Sequence, residues 1–113
     1  MKRYLLLLLL SVPAFAQHSA ALNWAWTQGT GDPATGFHCQ RATVSGGPYT
    51  VVQTVNSPLT LTCTDVTVVA GTTYFFVVTA FNSAGDGPAS NEAKATIPIA
   101  VPAAPTTLTV IVK

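Results

Sequence analysis

Thr-Thr-Tyr-Phe-Phe-Val-Val-Thr-Ala-Phe-Asn-Ser-Ala-Gly-Asp-Gly-Pro-Ala-Ser-Asn, residues 72–91, opens with a β-prone run and closes with turn formers. Alternation along a strand puts Tyr74, Phe76, Val78 and Ala80 on one face and Phe75, Val77, Thr79 and Phe81 on the other. A strand apolar on both faces is central in its sheet or half covered by a partner. Thr73–Phe81 therefore predicts the central strand of a β-sandwich, with the rest of the chain packed around it. Asn82-Ser83-Ala84-Gly85-Asp86-Gly87-Pro88 predicts a turn after it.

Working outward, Ser19–Trp26 alternates with Ala20, Leu22, Trp24 and Trp26 in phase, a strand anchored in the core by Trp24. A loop follows at 27–35. Gly36–Ala42 is a second strand, with Phe37, Cys39 and Arg41 on one face and His38 and Gln40 on the other. Ser45-Gly46-Gly47-Pro48 makes a tight turn into a third strand, Tyr49–Val55. Leu59–Thr64 is the fourth strand, with Leu59, Leu61 and Cys63 in phase; Ser90–Ile97 is the last, with Ala93, Ala95 and Ile97 in phase. No stretch keeps a helical period over a useful length. Six short strands at near-regular spacing predict an all-β sandwich or barrel, with Trp24, Tyr74, Phe76 and Val78 as its structural core.

The chain has 113 residues, one domain's worth, and only 8% are charged against about a quarter in ordinary globular domains. Thr, Ser, Asn and Gly supply the polar surface instead. A net charge of +1 without a basic cluster excludes a nucleic-acid partner. Met1-Lys2-Arg3, the apolar run Tyr4–Val12 and Pro13-Ala14-Phe15-Ala16 have the pattern of a signal peptide, residues 1–16, cleaved after Ala16. The apolar run falls short of the ~20 residues a membrane-spanning helix needs, so no stable membrane insertion is expected after cleavage. The expected location is secreted and extracellular, with the periplasm as the alternative. In such an oxidising compartment the only two cysteines, Cys39 and Cys63, are expected to pair.

Leu22-x-Trp24, Gly36-Phe37-x-x-x-Arg41, Ser45-Gly46-Gly47-Pro48-Tyr49, Thr64-Asp65, Gly71-Thr72-Thr73-Tyr74, Val78-Thr79-Ala80-x-Asn82-Ser83-Ala84-Gly85 and Ser90-Asn91-Glu92-Ala93 resemble, densely and in order, a fibronectin type III domain of the bacterial kind. The resemblance covers about residues 19–98. It implies an immunoglobulin-like β-sandwich whose strands here are B, C, C′, E, F and G. Trp24 would be the core Trp of strand B, and Tyr74 the tyrosine-corner residue whose hydroxyl bonds nearby backbone. Family members are binding and spacer modules without a shared ligand site. Two departures stand out. Cys39 and Cys63 replace the usual Val and aromatic residue on strands of opposite sheets, and strand A is missing ahead of strand B. The sandwich is expected over 17–98, followed at 99–113 by a Pro-rich linker and a strand-like tail, Thr106–Val112. That tail resembles the opening of a type III domain, where strand A begins.

No constellation for catalysis, cofactor or metal binding emerges. His38 and Cys39 are strand neighbours and point to opposite faces, so they cannot form a thiol–imidazole pair. Asp32, Asp65, Asp86 and Glu92 are scattered and read as turn and edge residues. The candidate binding face is His38, Gln40, Phe75, Val77 and Phe81, on the outer side of the C′–C–F–G sheet. It is either an apolar patch open to a partner or is covered by long neighbouring side chains or the tail. The expected function is that of a secreted, non-catalytic module for extracellular protein binding, adhesion or assembly. The alternatives are an accessory spacer module related to extracellular polysaccharide-degrading enzymes, or a truncated multi-module fragment. Its protein, cell-surface or polysaccharide ligand has no signature in the sequence; head-to-tail self-association through residues 102–113 is a further expectation.

Overall fold

The computed structural model describes residues 18–113; the signal peptide expected over residues 1–16 and the cleavage expected after Ala16 lie outside the described residues. The strands are β1 (Ala20–Asn23), β2 (Gly36–Ala42), β3 (Thr50–Val55), β4 (Thr62–Asp65), β5 (Thr73–Asn82), β6 (Gly85–Ala89) and β7 (Ala93–Thr96). As its two apolar faces imply, β5 is interior: β2 pairs antiparallel along one edge, and β6 and β7 share the other. β3 completes this five-stranded sheet beyond β2. The facing sheet is β1 paired antiparallel with β4, in register from Ala20 opposite Asp65 to Asn23 opposite Thr62.

The inward faces form two buried clusters. One joins Phe37, Cys39, Val55 and Cys63, the other Val68, Tyr74, Phe76 and Ile97. The Cys39–Cys63 disulfide ties β2 of the larger sheet to β4 of the smaller one. A second cross-sheet tie comes from Arg41, whose guanidinium donates to the buried Asp65 carboxylate at 2.8 Å and lies 4.6 Å over the Tyr74 ring. The Val69 N–H donates to the Tyr74 hydroxyl at 3.0 Å, the backbone bond expected of a tyrosine corner.

Several strand boundaries differ from expectation, and β1 ends at Asn23 rather than Trp26. β4 begins at Thr62 and leaves Leu59 89% exposed, because the β1 ladder starts only at Asn23–Thr62 and Leu59 is held in a turn by the Ser57 hydroxyl. β6 starts at Gly85, inside the expected turn. The reversal is confined to Ser83-Ala84, where Asn82 Oδ1 accepts the Ala84 N–H at 2.8 Å, and Pro88 is tolerated because β6 lies on the sheet edge. The expected final strand, Ser90–Ile97, is shortened to β7, Ala93–Thr96, with the unexpected β6 ahead of it. Ser90 bridges the break: its N–H donates to the Val78 carbonyl at 2.8 Å, and its hydroxyl accepts the Val78 N–H at 2.9 Å. The expected tail strand does not form. Residues 98–113 are exposed and form no strand pairing among the described residues.

Gly36 opens β2 where the backbone of β3 comes closest. A Cβ built there would lie 1.9 Å from the Val55 carbonyl oxygen. Gly36→Ala should push β2 and β3 apart and cost about 1–3 kcal/mol or more, as overpacking does. Chemical denaturation would read this as a lower midpoint; an unchanged midpoint would mean that the β2–β3 spacing is not as described.

Candidate binding surfaces

The register of β2 on β5 sets Gln40 opposite Val77 and His38 opposite Thr79, so the five sequence-predicted binding residues do share one outer face. Side chains of that face tie it together. The His38 ring stacks on Phe81 with centroids 4.1 Å apart, and its Nδ1 lies 2.8 Å from Asp86 Oδ1. A carboxylate can only accept, so Nδ1 carries the proton of that bond. The other Asp86 oxygen accepts from the Thr79 hydroxyl at 3.0 Å, and Gln40 donates to the same hydroxyl oxygen at 3.1 Å. At the far end Glu92 accepts from the Ser45 hydroxyl (2.6 Å), the Gly46 N–H (2.7 Å) and the Tyr49 hydroxyl. Val77 is buried at 5% exposure and Thr79 likewise. The face is therefore a self-bonded surface with a half-buried aromatic pair, which matches the alternative of cover by neighbouring side chains and not that of an open apolar patch. The physical reason is that Asp86 and Glu92, read from sequence as turn and edge residues, reach back over the sheet.

Asp65 also departs from that reading. Burial pushes its carboxyl up, but the Thr67 hydroxyl and N–H and the Arg41 guanidinium outweigh it and hold the group below the usual carboxylate range. Hydrogen bonds from Ser45, Tyr49 and Gly46 likewise lower Glu92. A carboxylate lowered in the folded state contributes stability that is present above its unfolded pKa and lost as pH falls through the folded one. Stability should thus decline on acidification below about pH 4, the ordinary carboxylate value. Asp65→Asn should flatten part of that decline while lowering stability at pH 7. Denaturation midpoints between pH 7 and 2 check this, and a variant with the wild-type slope would contradict it. Arg41, in phase with Phe37 and Cys39 in the sequence, was the available signal for an inward partner.

Loop 27–35 and the β5–β6 hairpin meet at one end, around a shallow recess of about 320 Å³ lined by Gln28, Asp32, Phe81 and Asp86 among others. No group of three or more His, Cys, Asp or Glu residues that could hold a metal occurs among the described residues.

A larger opening runs along the side of the sandwich. A groove of about 810 Å³ separates β1 from β7, walled by residues 19–25 on one side and by Phe76, Val78 and residues 93–98 on the other. A smaller recess of about 250 Å³ continues it past Trp24, Trp26, Val78 and Ala80 to β6. Leu22, Trp24, Trp26, Val78, Ala80 and Ala95 all pack on the core yet remain half-buried. Trp24 and Val78, expected as core residues, do pack on the Phe37 cluster but are less enclosed than Tyr74 and Phe76, because among the described residues nothing pairs with the outer edge of β1. This is where a strand preceding β1 would lie.

No protein-family model matches the chain, and no curated protein matches it. Solved structures do. An Fn3-like protein from Clostridium thermocellum is 33% identical, with 74% of this chain aligned to 80% of that one at a TM-score of 0.59. The sixth fibronectin type III domain of human fibronectin type III domain containing protein 3 aligns over 79% of this chain and 81% of its own, at 22% identity and a TM-score of 0.59. The twitchin kinase region from C. elegans, of which this chain covers 14%, shares the fold at 20% identity and a TM-score of 0.61. Two antiparallel sheets in this order, the Tyr74 corner, and a relative one-third identical over four-fifths of its length together place the chain in the fibronectin type III family.

Proposed function

We propose that this protein is an exported, non-catalytic module that works by binding another protein outside the cytoplasm, in adhesion or assembly. The observation that carries this reading is the unsealed side of the sandwich. Six inward-facing apolar residues stay half-open beside a groove that runs along the strands. Apolar surface of that kind is stabilised when a partner covers it. The disulfide suits an oxidising compartment. The outer face, with the stacked His38–Phe81 pair, is a second, more polar contact surface.

Lys94 lies on the groove wall and Lys113 ends the tail. An amine-coupled photo-crosslinker on the purified protein, returned to the culture that makes it, should therefore yield protein adducts of defined mass. Excess unlabelled protein should compete them away. Retention on insoluble polysaccharide without any protein adduct would replace this reading with that of a spacer module. Neither adduct nor retention would end the binding reading.

A further inference from the structure

We propose that the groove between β1 and β7 is a strand-acceptor site for the C-terminal tail of a second copy of this chain, joining molecules head to tail. This rests on the assembly reading above and names its partner.

The acceptor edge is open and regular. The Trp24 N–H bonds the Leu61 carbonyl at 3.1 Å, continuing the β1–β4 register. In an antiparallel ladder such bonds alternate, so the main-chain groups of Ala21 and Asn23 point away from β4, toward the free edge. A strand laid there would gain backbone bonds and also cover the groove.

The tail has the matching chemistry. Leu108, Val110 and Val112 alternate with Thr107, Thr109 and Ile111, the period-2 pattern of a strand with one side on a core. Leu108, Val110 and Val112 are 80–90% exposed, so this apolar face packs on nothing among the described residues. Thr107 sits at φ 60°, a left-handed value that a β-branched residue adopts only at a cost; pairing as a strand would relieve it. Seven residues extend about 23 Å, which matches the six residues from Ser19 to Trp24, about 20 Å.

Geometry favours a second molecule over the tail's own groove. The chain leaves β7 at the end of the sandwich where Gly71 donates to the Ile97 carbonyl at 2.8 Å and Ile99 packs beside Gly71. β1 begins at that same end, with Ala20 on the Tyr74–Ile97 cluster. A strand antiparallel to β1 must therefore enter from the opposite end. The entry point beside Trp24 is about 20 Å away, so residues 98–105, which reach at most about 26–29 Å, would have to lie nearly taut along the groove itself and then reverse before the tail could pair there. A following molecule stacked end to end presents its far end directly to the departing tail. The contact is heterologous and does not close on itself, so it extends into a chain of molecules. It also covers a strand edge that would otherwise invite indiscriminate pairing.

The test is sedimentation velocity across a wide concentration range, with the full chain and Val110→Lys. Val110 is exposed, so the variant folds as wild type unless the tail has a partner. The full chain should grow with concentration and Val110→Lys should remain monomeric. A synthetic peptide of residues 102–113 should then bind Val110→Lys one to one and slow hydrogen exchange at the Ala21 and Asn23 amides. A full chain that stays monomeric and unresponsive to the peptide overturns the inference; its groove would then be filled by its own tail or N-terminal segment. Growth of Val110→Lys equal to wild type, or peptide binding without protection at Ala21 and Asn23, also overturns it. A protein that crosslinks to a different protein yet stays monomeric alone would sink this inference and leave the binding reading standing.

Discussion

Phe37→Ala is expected to destabilise the protein by about 3–5 kcal/mol, and to do so by more than Trp24→Ala. Phe37 is 1% exposed and is the largest fully buried side chain. It is held edge-on by Trp24 at 5.2 Å and by Trp26 at 5.5 Å, and it packs in the cluster that contains the disulfide. Removing the ring deletes apolar burial on all sides, and β2 cannot collapse into the space while it is paired to both β3 and β5. Trp24, although larger, is half-open to the groove, so its loss removes less burial and leaves a cavity that solvent already reaches. Urea denaturation of the two variants, compared at equal m-value, decides the order. If Trp24→Ala proved the more damaging, the groove beside it would be filled in solution.

Opening the disulfide should cost nearly as much. Cys39 and Cys63 are 24 residues apart, and the chain-entropy model gives about 3.5 kcal/mol for a loop of that size. Cys39→Ala should fall in the range of about 2–5 kcal/mol seen when native bridges are removed from small secreted domains. The two sulfurs also bridge the sheets at the centre of a buried cluster, with Cys39 at 0% exposure and Cys63 at 5%. The β1–β4 sheet is only two strands wide and meets the larger sheet through this bond, the Arg41–Asp65 pair and apolar packing. Reduction should therefore loosen β4 first. Denaturation with and without reductant, together with hydrogen exchange at β4, checks both the size and the place of the effect. A reduced protein as stable as the oxidised one would mean that packing alone holds the sheets.

β2 and β5 were legible because their patterns are local. An alternating run bounded by turn formers specifies a strand and its two faces regardless of what it packs on. Hence Gly36–Ala42 and Thr73–Asn82 form the two longest strands, and Cys39 and Cys63 meet inside. The ends of β1 and β4 were less legible, because a strand lasts only as long as its partner, and partners are chosen in three dimensions.

The sequence left the outer face open between two readings for a related reason. Counting Phe75, Val77 and Phe81 suggests an apolar patch, but the exposure of that patch depends on side chains far along the sequence. Asp86 approaches His38 across 48 residues, and Glu92 reaches Gly46 across 46. Arg41 and Asp65 belong with them, a charged pair invisible until two sheets are laid face to face.

By itself, then, the sequence determined an all-β sandwich, its central strand, its corner tyrosine and its pairable cysteines. These follow from short-range alternation, turn chemistry and a cysteine count. Only the tertiary structure decided which apolar residues are enclosed, which carboxylates are held ionised, and that among the described residues a groove, rather than a collapsed edge, lies beside β1. Burial and electrostatics depend on distances between residues remote in the chain, and β7 is held away from β1 by its pairing to β5.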